Sequence, residues 1–232
     1  MLFYVYLGLM ALLVASFLFC RLSGGKVSAL FTKTLASLGF VFGAVVAINE
    51  TAYEYAYGYI LLGLICGLIG DIVLDLKVMY KEDSNHYLNC GMGVFGIGHV
   101  MYFIALVMIL DGLKDYTMPL IVSIAVSAVF ASVLVLVMAK PMKLDFGKFK
   151  YQSLAYCFVL TFMMMFSLMV SIKTGKLWIM TAGFISFLVS DLILSLQYFG
   201  GQQENKLLTA LNHITYYAAQ VLIVAQIFFM FA

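Results

Sequence analysis

Apolar residues run along this chain in long blocks, broken at intervals by clusters of charged and turn-forming residues. The blocks reach about 20 residues, the length an α-helix needs to cross a hydrocarbon core. Cutting at the polar clusters predicts eight helices, over 1–20, 29–48, 56–76, 88–110, 117–139, 151–172, 177–199 and 207–231. The first block lacks the basic leader of a cleaved signal peptide and is itself long enough to span, so it reads as a retained first helix.

Composition agrees with the pattern. Of 232 residues, 65% are hydrophobic and 10% charged, with a mean hydropathy of +1.08. A soluble domain of this size carries about 25% charged residues to cover its core. Two prolines and no Ser/Gly-rich linker give no boundary for a separate soluble domain. The expected fold is therefore all-α: a polytopic membrane protein, one eight-helix transmembrane domain over 1–232. A net charge of +2 gives no case for nucleic acid. Cys20, Cys66, Cys90 and Cys157 stand far apart in or beside apolar blocks and read as small buried hydrophobes, not as a disulfide framework or zinc site. No metal and no cofactor is expected.

Basic residues set the orientation. With the N-terminus outside, the cytoplasmic side collects Arg21, Lys26, Lys33, Lys77, Lys81, Lys140, Lys143, Lys148, Lys150 and Lys206. The outer side keeps Lys114, Lys173 and Lys176. Ten against three is a firm positive-inside signal, so both termini are expected on the non-cytoplasmic side of the cell membrane. Tyr53, Tyr55, Tyr57, Tyr59 and Trp178 suit the outer interfacial belt.

Two aspartates break the apolar blocks in matching surroundings. Leu68-Ile69-Gly70-Asp71-Ile72-Val73-Leu74 stands beside Leu188-Val189-Ser190-Asp191-Leu192-Ile193-Leu194. An Asp at the centre of a spanning helix costs about 2.5–3.5 kcal/mol on insertion scales, so such residues usually face a polar cavity and do a job. Gly63 with Gly183, Ile65 with Ile185 and Leu68 with Leu188 share the 120-residue offset of Asp71 and Asp191. The helix after each aspartate carries His-x-x-Tyr, as His99 with Tyr102 and His213 with Tyr216. This suggests two parallel four-helix halves, pseudo-repeats of about 1–114 and 115–232, with the two carboxylates at one site between them.

Other polar residues fall inside the spans. His99 and Tyr102 share a helix face, as do Tyr216 and Gln220. Each fits a substrate-binding or supporting role, and each fits interhelical hydrogen bonding that holds a bundle together. Asp75 lies near a helix end and reads as a solvated terminal charge. Lys33, just inside the second helix, is equally compatible with snorkelling to the headgroups and with ligand binding. Gly91, Gly93, Gly96 and Gly98 at the start of the fourth helix allow close helix approach.

These elements resemble the YhhN family of integral membrane proteins. The resemblance rests on Gly67-Leu68-Ile69-Gly70-Asp71-Ile72-Val73-Leu74, Gly98-His99-Val100-Met101-Tyr102, Phe187-Leu188-Val189-Ser190-Asp191 and Tyr216-Tyr217-Ala218-Ala219-Gln220. Thr32-Lys33-Thr34 resembles the family's Lys-Pro, with Thr34 where proline is common. The resemblance implies a lysoplasmalogenase: hydrolysis of a lysoplasmalogen vinyl ether to a fatty aldehyde and a glycerophospho-alcohol. The implied partners are a lysophospholipid substrate and membrane lipid, and no protein partner is indicated.

Two aspartates suit that reaction. Protonating the alkene carbon gives an oxocarbenium ion, which water then attacks, so one carboxylic acid and one carboxylate are needed, as in an inverting glycosidase. Asp71 and Asp191 are the expected catalytic pair, with either as the acid; His99, Tyr102, Tyr216, Gln220 and Lys33 would bind or support. A proton-coupled transporter or lipid carrier would use the same buried acids, and its mark would be helices broken at the site. An intramembrane aspartyl protease fits less well, since Gly67-Leu68-Ile69-Gly70-Asp71 is not Gly-x-Gly-Asp and no Pro-Ala-Leu follows. A non-enzymatic lipid-binding or scaffold protein is a further competing reading.

Overall fold

The computed structural model describes residues 1–51, 55–80, 82–137 and 139–229. Among them are eight long helices and no strand: α1 (Leu2–Leu22), α2 (Lys26–Glu50), α3 (Tyr55–Met79), α4 (Ser84–Ile109), α5 (Thr117–Ser132), α6 (Lys150–Thr174), α7 (Trp178–Phe199) and α8 (Lys206–Phe228). With short flanking turns at α5 and α6, all eight are long and apolar enough to cross a membrane. The polytopic all-α expectation stands.

The expected boundaries shift where hydropathy and hydrogen bonding part company. α4 begins four residues before its apolar block, with the His86 and Tyr87 amides reaching back to the Asp83 carbonyl at 2.9 and 3.2 Å. α3 runs on through Lys77 to Met79. Apolar length marks the hydrocarbon crossing, whereas the backbone ladder continues into the interface until something stops it. At α6 the stop is Gly175, whose φ of 72° takes the left-handed turn that a side chain disfavours. α5 passes into five residues of π-helix, Val133–Val137, where an unbroken α-helix is expected. The parts of the expected helices at position 138 and at 230–231 lie outside the described residues, as do Tyr53 and Lys81.

The chain divides into two compact units, residues 1–109 with the end of α8 from Gln220, and residues 110–219. In the first unit, helices meet through notches made by glycine. The Tyr6 ring lies over Gly43, and Met10 and Leu13 lie over Gly39, seating α1 on α2. A Cβ on Gly63 would strike the Tyr102 ring, one on Gly70 the Phe95 ring, and one on Gly91 the Leu74 side chain. One on Gly98 would come within 3.1 Å of the Gly63 carbonyl. Such notches let α3 and α4 approach closely where lipid supplies no hydrophobic drive for association. Gly93 and Gly96 face open space, which corrects the expectation for all four α4 glycines: only Gly91 and Gly98, seven residues apart on one helix face, serve the contact. Phe3 packs tilted against Phe228 and edge-on against Phe229 with ring centroids 5.4 and 4.8 Å apart, so the start of α1 and the end of α8 lie at one end of this unit. Tyr55 is 76% exposed, as an interfacial belt residue should be, but Tyr57 is fully buried and belongs to the core.

In the second unit, α7 and the first part of α8 are joined by polar side chains. Gln197 donates to Thr209 at 2.8 Å, and Asn212 donates to the Ser190 carbonyl at 2.8 Å. Ser186 donates to the Thr215 carbonyl at 2.8 Å. The connection from α5 to α6 folds inward: Leu144, Phe146 and Phe149 are buried, the Asp145 amide donates to the Phe199 carbonyl at 2.8 Å, and Phe146 packs on Phe199. Lys140, Lys143, Lys148 and Lys150 of that connection stay exposed.

Candidate functional site

In the first unit the sequence places Lys33 and Ser37 one turn apart on α2, and Asp71 and Asp75 one turn apart on α3. Residues at i and i+4 share a helix face. The antiparallel approach of the two helices sets these faces against each other, and Arg21 arrives from the last turn of α1. A continuous chain of contacts results. The Ser37 hydroxyl donates to Asp71 Oδ2 at 2.6 Å. Lys33 Nζ lies 3.2 Å from Asp71 Oδ1 and 3.2 Å from Asp75 Oδ1. Arg21 pairs with Asp75 Oδ2 and sits over the Phe17 ring. Asp71 is 2% exposed, Lys33 4% and Asp75 5%.

This geometry corrects two readings. Asp75 is not a solvated terminal charge: α3 continues a full turn past it, and two cations enclose it. Lys33 does not snorkel to the headgroups; its ammonium turns inward to two carboxylates. Charges buried this deeply persist only when paired and hydrogen-bonded.

A second polar group of the same unit lies on α4 and the end of α8. The Tyr102 hydroxyl donates to Gln220 Oε1 at 3.3 Å. His99 meets Tyr102 edge-on with ring centroids 5.8 Å apart, and its Nδ1 is 2.9 Å from the Phe95 carbonyl. A carbonyl only accepts, so Nδ1 donates there. All three side chains are fully buried or nearly so.

In the second unit Asp191 is half-buried on α7 and accepts the Tyr156 hydroxyl at Oδ2, at 2.6 Å. Tyr216 packs edge-on against Phe187, at 5.5 Å, and against Tyr217, at 5.1 Å. Among the described residues no group of three or more His, Cys, Asp or Glu is arranged to hold a metal ion.

The structure thus brings Lys33 to Asp71, and His99 and Tyr102 to Gln220, within one unit; Asp191 and Tyr216 belong to the other. Four contributors escaped the sequence. Ser37 could have been found from its spacing to Lys33. Arg21 is the single arginine of the chain and ends the first apolar block, which is a signal in hindsight. Asp75 gave its signal in its spacing from Asp71. Tyr156, one tyrosine among many aromatics, gave none.

Residues 28–227 match the YhhN family model, which covers most of the chain and all of these residues except Arg21. The protein belongs to the YhhN family. No curated protein and no solved structure matches it.

Proposed function

We propose that this YhhN protein is a membrane ether hydrolase that cleaves the vinyl ether of lysoplasmalogens, releasing a fatty aldehyde and a glycerophospho-alcohol. The observation that carries the reading is that Asp71 and Asp191, each on a spanning helix, each accept a hydroxyl hydrogen bond at 2.6 Å from the preceding helix. Carboxylates oriented in this way within an apolar span are disposed for acid–base work. Family membership supports the same class of reaction.

In the proposed reaction one aspartic acid gives its proton to the alkene carbon, and the electron pair on the ether oxygen forms an oxocarbenium ion. Water adds to the carbon bonded to that oxygen and loses a proton to a carboxylate. The hemiacetal collapses, its hydroxyl proton lost as the alkoxy oxygen is protonated, leaving aldehyde and alcohol. Asp71 and Asp191 are the acid–base carboxylates. Lys33 supports Asp71, and His99, Tyr102, Tyr216 and Gln220 hold water or the glycerol hydroxyl. The substrate is a lysophospholipid drawn from the surrounding lipid, in the cell membrane, with both termini on the non-cytoplasmic side.

The transporter or lipid-carrier alternative expects helices interrupted at the site. α3 and α7 run unbroken through Asp71 and Asp191, which favours the hydrolase. The test is aldehyde release from a choline or ethanolamine lysoplasmalogen by purified protein in detergent. Asp71→Asn and Asp191→Asn should each lower turnover by at least about 10²-fold, the low end for losing a general acid or base. A folded variant with near-normal turnover would remove that residue from the mechanism.

A further inference from the structure

The connection between α5 and α6 turns its apolar side chains inward and its charges outward. Leu144, Phe146 and Phe149 are buried, and the first two pack with Ala131, Val135 and Cys157. Backbone bonds fix the same stretch. The Lys143 amide donates to the Lys140 carbonyl at 3.0 Å, the Leu144 amide to the Ala139 carbonyl at 2.8 Å and the Asp145 amide to the Phe199 carbonyl at 2.8 Å. The last bond, with Leu144 close to Gly200, brings the α5–α6 and α7–α8 connections to one end of the second unit. Lys206 opens α8 at that same end, since Gln197 near the end of α7 pairs with Thr209 in the first turns of α8.

Five exposed lysines gather there, Lys140, Lys143, Lys148, Lys150 and Lys206, with two acids, Asp145 and Glu204. Among the described residues none of the five is in an ion pair. Asp145 is occupied locally, its Oδ1 accepting from the Gly147 amide at 3.0 Å. The other end of the unit is closer to balance: Lys114, Lys173 and Lys176 stand with Asp111 and Asp115, and Lys173 reaches the Asp115 carbonyl and lies over the Tyr116 ring.

Three of the five lysines stand where the backbone disfavours them. Lys143 has a φ of 54°, in the left-handed region that suits glycine. Lys148 and Lys150 lie at the start of α6, whose positive end repels cations and whose first turn holds no acidic residue. The positive-inside rule counts charges and needs no folded loop. An ordered array held outward against local preference suits a partner of opposite sign. Exposed Leu136, Val137, Met142 and Tyr151 adjoin it, which sets the array at the level where lipid tails give way to headgroups.

We propose that this face is a binding site for anionic phospholipid headgroups of the adjoining leaflet. Juxtamembrane clusters of four or more basic residues attract such lipids, each lysine strengthening the association about fivefold. The site stands independently of the hydrolase reading.

The experiment uses purified full-length protein in detergent, offered phosphatidylglycerol and phosphatidylcholine with the same acyl chains, with retained lipid counted by native mass spectrometry. Wild type should retain the anionic lipid in preference, and high salt should abolish the preference. Replacing Lys140, Lys143, Lys148 and Lys150 by Gln together should lower the preference by at least about tenfold. Lys114→Gln/Lys176→Gln, at the other end of the unit, should leave it unchanged. Lys143→Gly separates binding from folding: it should melt no lower than wild type and still lower the preference about fivefold. That single variant also decides the matter if the fourfold variant does not fold. Wild type without a preference, a folded fourfold variant that keeps it, or a Lys143→Gly variant with wild-type retention overturns the inference. Equal loss in Lys114→Gln/Lys176→Gln would reduce the effect to net charge and overturn it too.

Discussion

Tyr156 donates its phenolic proton to Asp191 at 2.6 Å from a position 35 residues earlier, one helix back in the same unit. Ser37 stands to Asp71 in the same way, 34 residues earlier and at the same distance. The donors differ in kind, an alcohol in one case and a phenol in the other, so the two contacts are not interchangeable.

Tyr156→Phe keeps the ring and removes the proton donor. A hydrogen bond to a charged or proton-transferring carboxyl is worth about 1.5–3 kcal/mol. The melting temperature should therefore fall, and turnover of lysoplasmalogen should fall with it by about 10- to 100-fold. Steady-state aldehyde release and a thermal melt in detergent check both halves of this.

Ser37→Ala removes the hydroxyl that donates to buried Asp71 Oδ2, at a cost of about 1–3 kcal/mol. The expected result is a lower melting temperature together with reduced turnover. Ser37→Thr, which keeps the hydroxyl, should recover more of both than Ser37→Ala. Equal behaviour of the two variants would show that the contact carries no weight.

Gly63→Ala would push a methyl group into the Tyr102 ring. Overpacking a fitted contact costs about 1–3 kcal/mol, and the ring can yield only by leaving its place beside Gln220. Stability should fall. Tyr102→Phe at the same time should cost less than the sum of the two single changes, because the hydrogen bond is already disturbed. Thermal melts of the three variants measure the coupling.

The basic asymmetry predicts that Asp145, exposed in the connection between α5 and α6, faces the cytoplasm. An Asp145→Cys variant should react with an impermeant thiol reagent only after the membrane is opened. Labelling in intact cells would invert the topology.

The fold was legible because hydropathy is a direct record of what lies in lipid. Long apolar blocks locate all eight helices, and only their ends, decided by backbone hydrogen bonds outside the hydrocarbon, escape it. Asp71 was legible for the same reason, being costly where it stands. Its surroundings were not. Asp75 and Lys33 are charged residues near helix ends, where sequence cannot distinguish a solvated side chain from one folded inward; only the antiparallel setting of α2 against α3 decides. The glycines of α4 show the limit differently, since spacing revealed a close approach but not that Gly91 and Gly98 alone make it.

The polar ladder between α7 and α8 has a consequence for how the chain enters the bilayer. α8 has the lowest hydropathy of the eight helices and carries Asn212, buried against Ser190. Alone in lipid, its amide would have no partner, and the Gln197 amide of α7 would lack Thr209. Together the two helices satisfy each other. Burying these amides in hydrocarbon is therefore less costly for the pair of helices than for either one alone.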